Sequence, residues 1–270
     1  MRMAHFYLTL PSNSSMKYYP TNTLTRYTTR LENAISLSGD WEVGLFEIQY
    51  PHSWFNLRRG EGRMTYEHWL NGKSGPIKMQ SNLRVLSGYY NTMVELVEAV
   101  NNTIHEYANK HKFIMYPAFN YNPITKRVNA LVGRGMTLHF SPTLCNMLGI
   151  DEHQNPIVSD VDYSLRFKGH NICDINDGFS SAYVYCNVLE HIPVGDTKAP
   201  LLRIVGLSGK SGDTIHTIYE KPIYVPLQQK SFDSIEIDMR SDIGDPIPFE
   251  YGKVLVTLHF RQRKIPYLLQ

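Results

Sequence analysis

Cysteine is scarce, with Cys145, Cys173 and Cys186 the three in 270 residues, an odd count with no close pair. Disulfide frameworks and zinc sites both need short paired spacings, so reduced, buried thiols are expected. Long apolar runs are missing too. The first, Phe6 to Leu10, covers five residues and stops at Pro11-Ser12-Asn13, too short for the core of a secretory leader and far too short to cross a bilayer. No signal peptide and no membrane span are expected, and the sequons at Asn13 and Asn101 are set aside for want of secretion. Neither sign of charge is in excess: 27 Lys and Arg face 25 Asp and Glu, far from the basic balance of a protein that neutralises many phosphates. Specific nucleic acid binding is therefore not expected. A Pro- or Ser-rich linker, an internal repeat and a low-complexity tract are also lacking, which points to one domain over residues 1–270.

What the chain does have is apolar and aromatic content, 42% hydrophobic with 18 Tyr and 11 Phe, enough to exclude disorder over its bulk. Most of it follows a two-residue period. Val254, Val256, Leu258 and Phe260 alternate with Leu255, Thr257, His259 and Arg261, and Ile235, Ile237 and Met239 alternate with charged or polar neighbours. Phe6, Leu8 and Leu10 repeat the pattern, so both ends of the chain read as strand. Further strands are expected at Tyr27 to Leu31, Trp41 to Gln49, Met64 to Leu70, Val128 to Val132, Tyr183 to Leu189, Leu201 to Leu207, Ile215 to Tyr219 and Ile223 to Leu227. Turn signals such as Ser38-Gly39-Asp40, Asn122-Pro123 and Gly195-Asp196 separate them. Short strands and short turns predict an all-β antiparallel sandwich or barrel.

The middle third departs from this period. Met93, Leu96, Val97, Val100, Ile104 and Tyr107 fall at helical steps behind a capping-box pair, Thr92 and Glu95, which predicts a helix over 92–109. A second is expected where Ser141 caps, Pro142 starts and Gly149 closes. Residues of about 60–155 thus read as an α/β insertion with extra hairpins.

Chemistry-bearing motifs fail one by one. Gly209-Lys210-Ser211 resembles the end of a phosphate loop, but Ile204 stands where the first glycine belongs and a strand follows, so a hairpin turn is expected there and at Gly72-Lys73-Ser74. Gly133-Arg134-Gly135 lacks the third glycine of a dinucleotide fingerprint. Asp174, Asn176, Asp177 and Gly178 suggest a calcium loop only faintly, since Tyr185 occupies the twelfth position, and an Asx-rich turn is the better reading. No two histidines sit at metal spacing on one helix face, His259 reads as a surface or interface residue, and Ser208 does not complete a nucleophile elbow. No enzyme and no cofactor are expected. The remaining signal is aromatic. Tyr18, Tyr19 and Pro20 lie in a polar loop with Asn22, where burial within their own domain is least assured, and are expected to contact a partner. The apolar C-terminus with Ile265, Tyr267 and Leu268 is a second candidate.

Several stretches together resemble the minor capsid (penton) proteins of Maverick/Polinton elements and adintovirus-like viruses. They are Phe6-Tyr7-Leu8-Thr9-Leu10-Pro11-Ser12-Asn13-Ser14-Ser15, Tyr19-Pro20, Gly39-Asp40-Trp41-Glu42-Val43-Gly44-Leu45 through Ile48, Tyr50-Pro51 and Trp54, with weaker echoes at Ser87-Gly88-Tyr89-Tyr90 and Ile247-Pro248-Phe249. The resemblance implies an antiparallel β-sandwich of single jelly-roll type. It implies a structural protein of the virion, made inside the host cell, that forms a homopentamer at icosahedral vertices beside a double jelly-roll major capsid protein. More strands are read here than the eight of a minimal jelly roll, so the middle third must be inserted. The alternative from another class is a carbohydrate-type β-sandwich binding module using exposed Tyr and Trp.

Overall fold

The computed structural model describes residues 5–72 and 75–263. In chain order its elements are β1 (His5–Pro11), β2 (Arg26–Ser36), β3 (Trp41–Pro51), β4 (Arg63–Gly72), β5 (Gly75–Arg84), α1 (Met93–Lys110), β6 (Ala118–Asn122), β7 (Arg127–Val132), β8 (Met136–Phe140) and α2 (Pro142–Leu148). There follow β9 (Ile157–Val158), β10 (Leu165–Lys168), β11 (Ser181–Cys186), β12 (Ile192–Val194), β13 (Thr197–Ala199), β14 (Leu201–Gly206), β15 (Thr214–Ile218), β16 (Tyr224–Pro226), β17 (Ser231–Arg240) and β18 (Leu255–Gln262). They fall into two compact units, one of Met1–Trp54 with Phe179–Gln270 and one of Phe55–Gly178.

The discontinuous unit is built on two large antiparallel sheets, with β12 and β13 as a separate two-stranded pair. One has the order β1-β18-β3-β15, with β16 also on β3, and the other the order β14-β11-β17-β2. If β15 and β16 count as one position, eight strands remain, and the chain changes sheet at every step except β11 to β14. That is a jelly roll. The alternation read from the sequence supplies its core: Val43, Leu45, Val256, Leu258 and Phe260 from one sheet meet Val184, Val205, Ile235, Ile237 and Met239 from the other, all but Val205 fully buried. Val254 is fully buried with them. Two tyrosines bridge the sheets, the Tyr27 hydroxyl donating to Leu10 O at 3.1 Å and that of Tyr50 to Gly206 O at 3.2 Å. A bulge at Phe46 shifts the register between Thr257 and Leu258, so that β3 buries Leu45 and then Ile48 instead of keeping a strict period of two.

The second unit is the insertion, entering between β3 and β11 with a core of its own. Its sheets run β5-β4-β8-β9 and β10-β7-β6. It spans 55–178, wider than the expected 60–155, because β9 and β10 pair with β8 and β7 and bring Ile157 and Phe167 into the second core. Strands that short carry no readable period. Both helices form where their caps predict. In α1, Thr92 accepts from Glu95 N at 3.2 Å and Asn91 N donates to the Glu95 carboxylate at 2.9 Å, while the buried stripe ends on Ala108. In α2, Ser141 caps, Pro142 opens and Gly149 closes in the left-handed region at φ 70°.

One turn differs from expectation. Gly209-Lys210-Ser211 lies between β14 and β15, which belong to different sheets, so it carries the chain across the sandwich and is not a hairpin turn. Asp213 braces it, its carboxylate accepting from Lys210 N at 2.9 Å. The ladder of β4 with β5 closes from Gly72 to Gly75 as a hairpin, although Lys73 and Ser74 themselves lie outside the described residues.

Candidate interaction surfaces

The loop between β1 and β2 is tied down by its small polar residues. Ser12 is buried and exchanges two hydrogen bonds with Val254, one from its own N–H at 2.8 Å and one accepted by its hydroxyl at 3.0 Å. Ser15 accepts from Arg30 N through its hydroxyl at 2.9 Å and from Tyr18 N and Tyr19 N through its carbonyl, each at 2.9 Å. Asn22 grips β2 from both sides, donating to Thr28 O and accepting from Thr28 N, each at 2.9 Å. Its amide is thereby spent inside the loop.

This scaffold divides the four loop candidates. Tyr18 is 61% exposed, with the Arg30 guanidinium 4.4 Å over its ring, and Pro20 is exposed beside it. Tyr19 is half-buried and lines a groove of about 640 Å³ with Thr23, Arg26, Glu236 and Arg240. The charges there neutralise one another: Arg26 pairs with Glu236 at 3.1 Å and Arg240 with Asp238 at 2.9 Å. Tyr18, Pro20 and Tyr19 therefore present a polar aromatic surface, and Asn22 holds it in shape. Ile265, Tyr267 and Leu268 lie outside the described residues.

A second surface escaped the sequence reading except at His259. On the outer face of the first sheet, Tyr7, half exposed, stacks on His259 at 4.4 Å and packs on Phe46 at 4.8 Å. The Tyr224 hydroxyl lies 2.8 Å from His259 Nδ1, and the Arg261 guanidinium sits 3.4 Å over the Tyr224 ring while donating to Glu42 at 2.6 Å. Farther along, His216 meets Glu47 at 2.5 Å, and Glu47 accepts from the Thr257 hydroxyl at 3.2 Å. Alternation set Thr257, His259 and Arg261 on one side of the last strand, but only strand order, β1 beside β18 beside β3, brings the other residues to them. The other aromatics divide: Tyr27, Tyr50, Trp54 and Tyr66 are buried, whereas Trp69 is exposed.

The chemical candidates resolve as local structure. Burial pushes the thiol of Cys145 up to about 11 and that of Cys186 up to about 12, far from a nucleophilic thiolate. The Asp174 carboxylate accepts from Asn176 N at 3.0 Å and Gly178 N at 2.8 Å, an Asx turn. Among the described residues, no three His, Cys, Asp or Glu side chains gather as metal ligands.

No protein family matches the sequence, and no curated protein matches it. Among solved structures, the chain is similar to the mavirus penton protein, with a TM-score of 0.54 at 11% identity over 96% of this chain and 100% of that one. It is also similar to a chain in the cryo-EM structure of the Sputnik virophage, with a TM-score of 0.49 at 10% identity over 97% of this chain and 98% of that one. The first of these shows a common fold along almost the whole chain.

Proposed function

We propose that this chain is a structural capsid protein, a penton-type subunit that assembles as a homopentamer at the vertices of an icosahedral virion and contacts a double jelly-roll major capsid protein. The observation that carries this reading is the extent of the likeness: it spans 96% of this chain, jelly roll and insertion together, and 100% of the mavirus penton protein. We read residues 1–270 as one jelly-roll capsid domain carrying that insertion, and assign it no catalysis and no cofactor. Its surfaces offer aromatic anchors and self-paired charges, the kinds of group that interfaces use. A carbohydrate module has no observation in its favour beyond exposed aromatics, which interfaces use equally.

Five-fold closure needs one patch to meet a different patch on the neighbour. Tyr18, Tyr19 and Pro20, backed by Asn22, are assigned to such contacts, and the C-terminal Ile265, Tyr267 and Leu268 to docking beside them. Mass photometry of the purified chain with the major capsid protein, and imaging of the particles formed, test this reading. The expected result is a ring of five copies at each vertex, lost or weakened by Tyr18→Ala and by deletion of residues 265–270. Particles without this chain at their vertices, or a stable two-fold dimer, would overturn it.

A further inference from the structure

His259 is surrounded by groups that bear on its charge. From β1, Tyr7 stacks on the imidazole at 4.4 Å with 14° between planes, and His5 meets it edge-on at 5.3 Å. From β16, the Tyr224 hydroxyl reaches Nδ1 at 2.8 Å. On β18 itself, Arg261 follows two residues on, held over Tyr224 and bonded to Glu42 of β3. Directly opposite on β3 stands Gly44, which offers no side chain. The other ring nitrogen, Nε2, is shielded from solvent and has no hydrogen-bond partner among the described residues.

As the Nδ1–H tautomer, donating to the Tyr224 oxygen and leaving Nε2 without a proton, a neutral imidazole suits this site, otherwise in aromatic contact. An imidazolium does not. It must place a charged N–H at Nε2, where nothing accepts it, on a face that already carries Arg261 and His5, while the carboxylate of Glu42 is engaged with Arg261 and that of Glu47 with His216 and Thr257. Burial first, then His5 and Arg261, hold the group below the ordinary imidazole value. Attraction between an imidazolium and the Tyr7 ring opposes this, but it leaves the shielded N–H unpaired.

We infer that this cluster is an acid-responsive latch on the first strand: protonation of His259 lifts Tyr7 and His5 away and frays residues 5–8 of β1. The strand can yield because it is the edge of its sheet, paired to β18 alone. Its inner side confines the opening, since Leu10 is fully buried at the far end and keeps that end in place. The latch belongs to the chain by itself and stands or falls separately from the capsid reading.

Amide hydrogen exchange of the full chain tests it, compared between about pH 7.5 and about pH 5 after correction for intrinsic rates. Protection of residues 5–8 should fall by about tenfold or more on acidification while that of β17 holds. In His259→Gln, protection of residues 5–8 should be the same at both pH values. Unchanged protection in the wild type, or the same acid loss in His259→Gln, would overturn the inference. Should that variant fail to fold, NMR titration decides: the wild-type His259 should titrate below the ordinary value, and Tyr7→Ala should raise it. An ordinary value in the wild type would overturn the latch as well.

Discussion

At the scale of single residues, the jelly roll depends on positions where the chain leaves no room. Gly44 pairs with His259 on one side and Tyr224 on the other, in the middle of β3. A Cβ added there would lie 2.8 Å from Ile223 O and 2.8 Å from Pro222 Cβ, a carbonyl and a ring that cannot rotate away. Gly44→Ala should therefore destabilise the protein by about 1–3 kcal/mol, the range of an overpacked site. The denaturant midpoint measures it, and an unchanged midpoint would mean that residues 222–224 cross β3 more loosely than described. Tyr18 makes the contrast. It is 61% exposed, so its removal should leave folding alone and register only in assembly.

At the scale of elements, the loop between β1 and β2 separates residues that build a surface from residues that offer it. Asn22→Ala removes both bonds to the Thr28 backbone and should cost about 1–2 kcal/mol, with faster hydrogen exchange in residues 13–23. If the loop exchanges no faster in that variant, Asn22 is no scaffold residue and belongs with the contact set. The sequence could not make that distinction, because Asn22 and Tyr18 share one polar stretch and only the register of the loop against β2 tells which side chain turns inward. Elements with a strong local signal were legible: β17 and β18 by alternation, α1 by its stripe and capping box, α2 by Ser141, Pro142 and Gly149. Those held by pairing alone were not. The two-residue β9 and the three-residue β12 and β13 have no period to read, and β5, a proline-bearing edge strand, leaves Ile77 exposed. The same limit hid the Tyr7, His259 and Tyr224 surface, which draws on three strands far apart in sequence.

At the scale of the whole molecule, these placements set how stability responds to acid. Burial holds His52, His68 and His259 below the ordinary imidazole value. Above about pH 6.5 these groups are neutral in both folded and unfolded chains and contribute nothing to the difference. Below it the unfolded chain takes up protons that the folded one resists, so stability falls as pH falls. The carboxylates act lower. Asp151, held below the usual range by the hydrogen bond from His170, adds to the acid loss, and Asp177, raised by burial, opposes it, both nearer about pH 4. Between about pH 7 and pH 5 the histidines therefore decide the sign. His52 and His259 belong to the jelly-roll unit and His68 to the insertion, so both units should weaken together. Thermal melting should show Tm lower at about pH 5.5 than at about pH 7.5, by about 2–4 °C for each kcal/mol lost. His259→Gln should reduce that dependence without abolishing it, since His52 and His68 still titrate. A Tm that stays level or rises on acidification would show that these rings reach water more freely than their packing allows.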